Sequence, residues 1–178
     1  VLSLSARTLS GIWADIISVG QALGLEEPAR ELVAELRARL ERLRAGAPRP
    51  APRVVCLEWL DPPYLAGHWV PELVAAAGGR DVGAEPGSQS RVVPWDEIVK
   101  LEPDLIVVML CGFGVTRARA ELAALEDDEA RILLAGAPVW VIDGNAYTSR
   151  PGPRVVDGAE RLQSAMIGRP TPGLARWT

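Results

Sequence analysis

The sequence predicts an α/β fold: a three-layer lobe in which a mainly parallel sheet is covered by helices, together with one long connecting helix. Two observations lead to this prediction. After residue 52, short apolar runs alternate with segments of helical periodicity, and this alternation is typical of parallel strands joined by right-handed helical crossovers. In addition, hydrophobic residues make up 48% of the 178 residues, which is sufficient for a buried core.

Two helices are predicted before that region, after a short strand at residues 1–4. Apolar side chains recur at helical spacing over residues 8–23, and Gly24 is a suitable helix C-cap. The second helix begins near Pro28, whose fixed φ suits a first turn, and ends near Arg44. Its leucines share one face and its acidic and basic residues pair on the other, so one side is buried and the other faces water.

The remaining elements follow from apolar runs bounded by glycine and proline. Strands are predicted at residues 53–58, 81–82, 105–110 and 139–142. Helices are predicted at residues 71–77 and 95–101, from about residue 116 and from about residue 154. Because parallel strands point the same way, their strand-to-helix connections meet at one edge of the sheet, where open α/β proteins bind ligands.

Aromatic and polar residues are concentrated in those connections, which predicts a binding pocket. The aromatic side chains expected to line it are Trp59, Tyr64, Trp69, Trp95, Phe113 and Tyr147. Asn145 and Arg150 add polar groups that would orient a ligand in such a pocket. The only histidine, His68, is expected to have a surface or hydrogen-bonding role, with ligation of a bound metal complex as the alternative.

Several function classes are disfavoured by the composition. The net charge is −4 and no block of basic residues stands out, which disfavours binding to nucleic acid or to an anionic membrane surface. No phosphate-binding glycine motif and no nucleophile elbow is present, so a nucleotide site, a hydrolase and a catalytic cofactor are all disfavoured. Cys56 and Cys111 are expected to be small buried hydrophobic residues. No segment has the roughly 20 apolar residues of a membrane span.

Specific motifs resemble the C-terminal part of the cobalamin-type substrate-binding proteins of ABC importers, which have two lobes joined by one long helix. The matching segments are residues 58–64, 67–73, 77–79, 93–97, 102–106, 109–113 and 149–154. The resemblance implies three regions: residues 1–25 as a remnant of the N-terminal lobe, residues 26–46 as the interlobe helix and residues 47–178 as the C-terminal ligand-binding lobe.

The resemblance also implies a function. The chain is expected to be a non-enzymatic binding module that captures cobalamin or a related corrinoid, with Trp95 flanking the ligand. It would deliver this cargo to permease subunits, to which Glu97 or Asp96 would dock. An extracytoplasmic location follows for the full-length protein. With one lobe largely missing, weak or no ligand binding by the chain alone is expected, and pairing of two copies through the bare face stays open as a plausible alternative.

Two alternatives remain open at the level of the sequence. The first is an iron-siderophore or haem-binding protein of the same class. The second is a cytosolic corrinoid-handling enzyme or sensor built on the same scaffold.

Overall fold

The computed structural model describes residues 1–177, with Glu129 described by its backbone only. Eight helices lie in this part of the chain: α1 (Leu9–Ala22), α2 (Glu26–Ala45), α3 (Val70–Ala77), α4 (Trp95–Lys100), α5 (Val115–Ala123), α6 (Asp128–Gly136), α7 (Gly144–Tyr147) and α8 (Val155–Met166). The strands are β1 (Arg53–Leu60), β2 (Pro63–Leu65), β3 (Arg80–Asp81), β4 (Arg91–Val92), β5 (Leu105–Val108), β6 (Val139–Ile142) and β7 (Leu174–Trp177).

The strands form one mixed sheet whose centre is parallel. The order is β4-β2-β1-β5-β6-β7, and β3 also pairs with β1. The pairs β1–β3, β1–β5 and β5–β6 are parallel, whereas the pairs β1–β2, β2–β4 and β6–β7 are antiparallel. Every residue of β5 and β6 is buried, as expected for strands that are covered on both faces.

Two hydrophobic layers enclose this sheet, and together they confirm the predicted three-layer α/β architecture. One face packs against α1, α2, α3 and α8, and its core includes Cys56, Val107 and Ile142. The other face packs against α4, α5 and α6, and its core includes Leu57, Val108 and Val141. Alternate residues of each central strand point to opposite layers, which explains why these strands are apolar without interruption.

Three details differ from the sequence prediction. Residues 1–4 form no strand. The helix predicted from about residue 116 is two helices, because the chain turns after α5 and Asp127 caps α6 by accepting a hydrogen bond from the Ala130 amide at 2.8 Å. The antiparallel strands β2, β4 and β7 were not predicted, since each has only two to four residues and lacks a distinctive apolar run.

The longest helix, α2, is fixed to the lobe by polar contacts as well as by its apolar face. The Arg39 guanidinium bonds to Asp157 at 2.5 Å and to Glu160 at 2.8 Å, both on α8. The Gln163 side-chain amide donates to the carbonyl of Leu43 at 2.8 Å. The 20 residues of α2 extend about 30 Å, in agreement with the long helix predicted for this part of the sequence. Within residues 1–177, no helix has both the length and the apolar character needed to cross a membrane.

Candidate ligand-binding site

The ends of the three central strands are tied together by backbone hydrogen bonds at the carboxyl edge of the sheet. The Cys111 amide, just after β5, donates to the carbonyl of Glu58 in β1 at 3.2 Å. The Asn145 amide, just after β6, donates to the carbonyl of Phe113 at 3.3 Å. These contacts hold the strand-to-helix loops in a fixed arrangement, so side chains that are distant in sequence meet at this edge.

An aromatic group occupies part of this edge. The rings of Trp59 and Phe113 have centroids 5.4 Å apart and planes inclined by 60°, a favourable tilted geometry. The Arg117 guanidinium lies 3.7 Å from the centroid of the Phe113 ring, within cation–π range. Tyr64 is the register partner of Trp59 across the β1–β2 ladder, so its side chain leaves the sheet on the same face. We call Trp59, Tyr64, Phe113 and Arg117 the aromatic group.

An open cavity of about 400 Å³ adjoins the aromatic group. Its lining residues are Trp59, Leu60, Asp61, Leu110, Phe113, Glu121, Ala124, Leu125 and Glu126. Trp59 is 38% exposed and is the only exposed tryptophan within residues 1–177. The cavity therefore combines a large uncovered aromatic surface with carboxylates at its rim.

A polar cluster lies beside the loop that follows β2. The Ser90 hydroxyl is 3.4 Å from Nδ1 of His68. Burial raises the pKa of the Glu58 carboxyl, while a hydrogen bond from Ser90 and the nearby imidazole of His68 oppose this rise. His68 has a φ of 55°, and its backbone is held by the Ser88 carbonyl at 2.6 Å and by the Gly87 amide at 2.8 Å. The left-handed conformation of a non-glycine residue indicates that tertiary contacts determine this loop.

Asn145 and Arg150, the polar residues predicted after β6, pair with each other on the surface. The Arg150 guanidinium donates to Oδ1 of Asn145 at 3.0 Å, and both side chains are exposed.

Cys111 is also exposed, so the prediction that both cysteines are buried holds only for Cys56. Within residues 1–177, no group of three or more His, Cys, Asp or Glu residues is arranged to hold a metal ion.

Three other predicted aromatic residues are engaged in contacts within the chain. Trp95 is 5% exposed and lies in the core layer beneath α4, which leaves it little surface for stacking on a ligand. Trp69 is 9% exposed, and its indole nitrogen donates to the Thr148 carbonyl at 3.0 Å. Tyr147 is covered by the guanidinium of Arg161, which lies 3.6 Å from its ring centroid. Contacts within the chain therefore cover most of the surface of Trp95 and Trp69 and one side of the Tyr147 ring.

The two acids expected to dock to a permease differ in their surroundings. Asp96 pairs with Lys100 at 2.8 Å, and this hydrogen bond lowers the pKa of the Asp96 carboxyl. Glu97 is exposed in the first turn of α4 and forms no ion pair with the residues that the structure describes. Glu97 is therefore the more available of the two for an external cation.

Arg117 and the acidic rim formed by Asp61, Glu121 and Glu126 were not predicted from the sequence. Arg117 lies four residues after Phe113, and Glu121 four residues after Arg117, where it pairs with the guanidinium at 3.6 Å. This helical spacing was available in the sequence as a signal. Glu126 lies in the turn after α5, which was missed together with the division of this region into two helices.

Comparison with solved structures shows the same fold in substrate-binding proteins. An ABC transporter substrate-binding protein from Listeria monocytogenes has a TM-score of 0.75 and 16% identity, over 91% of this chain and 66% of that one. The periplasmic vitamin B12 binding protein BtuF of Vibrio cholerae has a TM-score of 0.66 and 20% identity, over 93% and 64%. The periplasmic heme binding protein HutB of Vibrio cholerae has a TM-score of 0.69 and 20% identity, over 93% and 66%.

This chain thus spans slightly less than two thirds of each of these proteins. No curated protein matches the sequence. The model of one protein family, described as periplasmic binding protein, matches residues 1–135, which is most of the chain. The chain therefore belongs to the periplasmic binding protein family.

Proposed function

We propose that the chain is part of the substrate-binding component of an ABC importer and captures a large, flat metal chelate, with cobalamin or a related corrinoid as the leading candidate. The observation that carries this proposal is the exposed indole of Trp59, packed against Phe113 beside an open cavity at the carboxyl edge. Membership of the periplasmic binding protein family supports a binding role for this edge rather than a catalytic one.

The chemistry of the edge suits such a ligand. Trp59, Tyr64 and Phe113 offer flat apolar surfaces with few rotatable bonds, so little entropy is lost when they contact a macrocycle. The N–H groups of amide side chains on the ligand would donate hydrogen bonds to the acidic rim of Asp61 and Glu126, which form no ion pair with the residues that the structure describes. A corrinoid ring, which is apolar in its plane and polar at its periphery, combines both requirements.

This edge would form one wall of the binding site. Because the chain spans slightly less than two thirds of its solved relatives, we expect the opposite wall to come from residues outside this sequence. A single open wall buries only part of a ligand, whereas small-molecule sites cover most of the ligand surface. The chain by itself is therefore expected to bind the chelate weakly, and the complete two-lobed protein tightly.

Delivery would follow docking of the loaded protein to permease subunits on the extracytoplasmic side of a membrane. Glu97 supports this step because it is exposed and is not engaged in an ion pair with another described residue. An arginine or lysine of the permease would form a charge-assisted hydrogen bond with its carboxylate.

Calorimetric titration of cyanocobalamin into the complete protein tests the proposed cargo, with the 178-residue chain titrated alongside. Tight binding by the complete protein and weak binding by the chain would support the proposal. Haem and a ferric siderophore, titrated in the same way, test the alternatives within the class. Binding of either, without binding of cyanocobalamin, would replace the corrinoid as cargo, and binding of none would reject the chelate proposal.

A further inference from the structure

A second cleft, lined by basic residues, lies at the amino-terminal end of β1 and β3 and has a volume of about 520 Å³. Four cationic side chains line it: Arg53, Arg80, Arg91 and Lys100. Only two acids, Asp81 and Glu85, line the same space. This local excess of positive charge occurs on a chain whose net charge is −4. We call this region the basic cleft.

The fold brings the cations of the basic cleft together, and hydrogen bonds to backbone carbonyls hold two of them, Arg53 and Arg91, in place. Arg53 and Arg80 are register partners on the parallel strands β1 and β3, so their side chains leave the sheet next to each other. The Arg53 guanidinium donates to the carbonyls of Glu102 at 3.0 Å and Leu101 at 2.6 Å. Carbonyl contacts orient an arginine without neutralising its charge, so the cleft keeps its positive potential.

Asp81, one of the two acids in the basic cleft, forms hydrogen bonds with backbone amides rather than ion pairs with the cations. Oδ1 of Asp81 accepts hydrogen bonds from the amides of Gly83 at 2.8 Å and Ala84 at 3.0 Å. Its Oδ2 is buried without a hydrogen-bond partner among the residues that the structure describes. The three arginines of the basic cleft form no ion pair with any residue that the structure describes; they are Arg53, Arg80 and Arg91. These charges are therefore available to an external anion.

We propose that the basic cleft binds a phosphate group. Guanidinium groups present planar pairs of N–H donors that match the oxygens of phosphate, so Arg53, Arg80 and Arg91 would form the contacts with it. The cleft is separate from the aromatic group, so this inference does not depend on the identity of the cargo. The phosphate could belong to a soluble phosphate ester or to the headgroup of an anionic lipid, which share this chemistry.

Titration with inorganic phosphate, followed by amide NMR at constant ionic strength, tests the proposal. We expect saturable shifts of the Gly83 and Ala84 amides, which sodium chloride at equal ionic strength should not produce. The double substitution Arg80→Gln and Arg91→Gln should weaken phosphate binding about tenfold or more, because two charge-assisted contacts are lost. Arg42→Gln, which removes an exposed charge from α2, is the matched control and should leave binding unchanged.

The single substitution Asp81→Asn should act in the opposite direction. It removes the negative charge from the cleft and keeps an oxygen for the amides of Gly83 and Ala84, so phosphate affinity should increase a few-fold. Shifts that do not saturate, that chloride reproduces, or that respond equally to Arg42→Gln would overturn the proposal. If Asp81→Asn weakened binding, the electrostatic basis of the proposal would be rejected as well.

Flotation with lipid vesicles distinguishes the two sources of phosphate. Binding to phosphatidylglycerol vesicles but not to phosphatidylcholine vesicles, lost in the double arginine variant, would assign the cleft to an anionic headgroup. Saturable binding of free phosphate without vesicle binding would assign it to a soluble ester. Binding to neither would reject a phosphate site in the basic cleft.

Discussion

Trp59 and Phe113 pack against each other at the carboxyl edge of the sheet, with ring centroids 5.4 Å apart and planes inclined by 60°. Trp59 lies near the end of β1 and Phe113 follows β5, and these two strands are parallel neighbours. The contact therefore depends on the sheet topology rather than on proximity in sequence. One side of the pair remains open to the cavity, and Arg117 covers the Phe113 ring on another side.

The substitution Trp59→Ala is expected to weaken binding of the chelate by about 1–3 kcal/mol, or roughly 5- to 150-fold, because an exposed aromatic contact surface is lost. Calorimetric titration of the complete protein provides the measurement. Trp59→Phe should recover much of the affinity, since a flat apolar ring remains. An unchanged affinity for Trp59→Ala would remove this residue from the binding site.

Trp95→Ala should mainly reduce stability, since Trp95 is 5% exposed within a core layer. Loss of a buried tryptophan leaves a cavity and is expected to lower the free energy of unfolding by about 3–5 kcal/mol. Urea denaturation of Trp95→Ala and Trp59→Ala side by side measures this difference, and the Trp59 variant should lose much less. If Trp95→Ala kept normal stability and lost ligand affinity, the stacking role first expected for Trp95 would be restored.

The sequence was sufficient to predict the central architecture but only part of the candidate site. The apolar runs of β5 and β6 are short and closely follow Pro103 and Pro138, which favours strands covered on both faces over a buried helix. Aromatic residues carry no comparable signal. Trp59 and Trp95 both lie near strand-to-helix connections, yet one is exposed and the other is buried.

Tertiary context explains the remaining differences. Trp69 lies ten residues after Trp59 in the sequence, but its indole nitrogen donates to the Thr148 carbonyl, a partner that no local pattern reveals. The left-handed backbone of His68 is likewise determined by contacts with Ser88 and Gly87. Short antiparallel strands such as β2 were missed because their pairing depends on the neighbouring strand rather than on their own composition.

Arg39→Gln is expected to loosen the attachment of α2 to α8, because the guanidinium bonds to both Asp157 and Glu160 in a partly buried position. Removal of a networked arginine should lower the free energy of unfolding by about 1–2 kcal/mol, with a smaller effect at high salt. Arg30→Gln is the control, since its pair with Glu26 is exposed and local, and its effect on stability should be much smaller. Equal losses for the two variants, measured by urea denaturation, would contradict a specific role for the Arg39 contacts.

Glu97→Gln should reduce ligand uptake in a reconstituted importer while leaving ligand affinity unchanged, because Glu97 is exposed on α4 and lies outside the aromatic group. Its loss removes one charge-assisted contact, and we expect docking to weaken roughly tenfold. Asp96→Asn is the matched control at the adjacent position, where the carboxylate is already paired with Lys100. A stronger effect of Asp96→Asn on uptake would transfer the docking role to Asp96.

Asp81 should give the folded protein a distinct dependence of stability on pH. Burial raises the pKa of its carboxyl from 3.8 to about 6, with hydrogen bonds from Gly83 and Ala84 opposing the rise and Glu85 adding to it. The native state therefore binds more protons than the unfolded state between these two values. The sign follows: the free energy of unfolding should fall as pH rises from about 4 to about 6, by at most about 3 kcal/mol, and should level off above that range.

Asp81→Asn isolates this contribution, because asparagine can still accept hydrogen bonds from the two amides and does not ionise. We expect the stability of the variant relative to the wild type to increase from pH 4 to pH 6.5, measured by urea denaturation at each pH. Glu85→Gln provides a second test: removal of the neighbouring charge should lower the pKa of Asp81 and move the transition to lower pH. A stability difference that does not change with pH would mean that Asp81 has the same pKa in the folded and unfolded states.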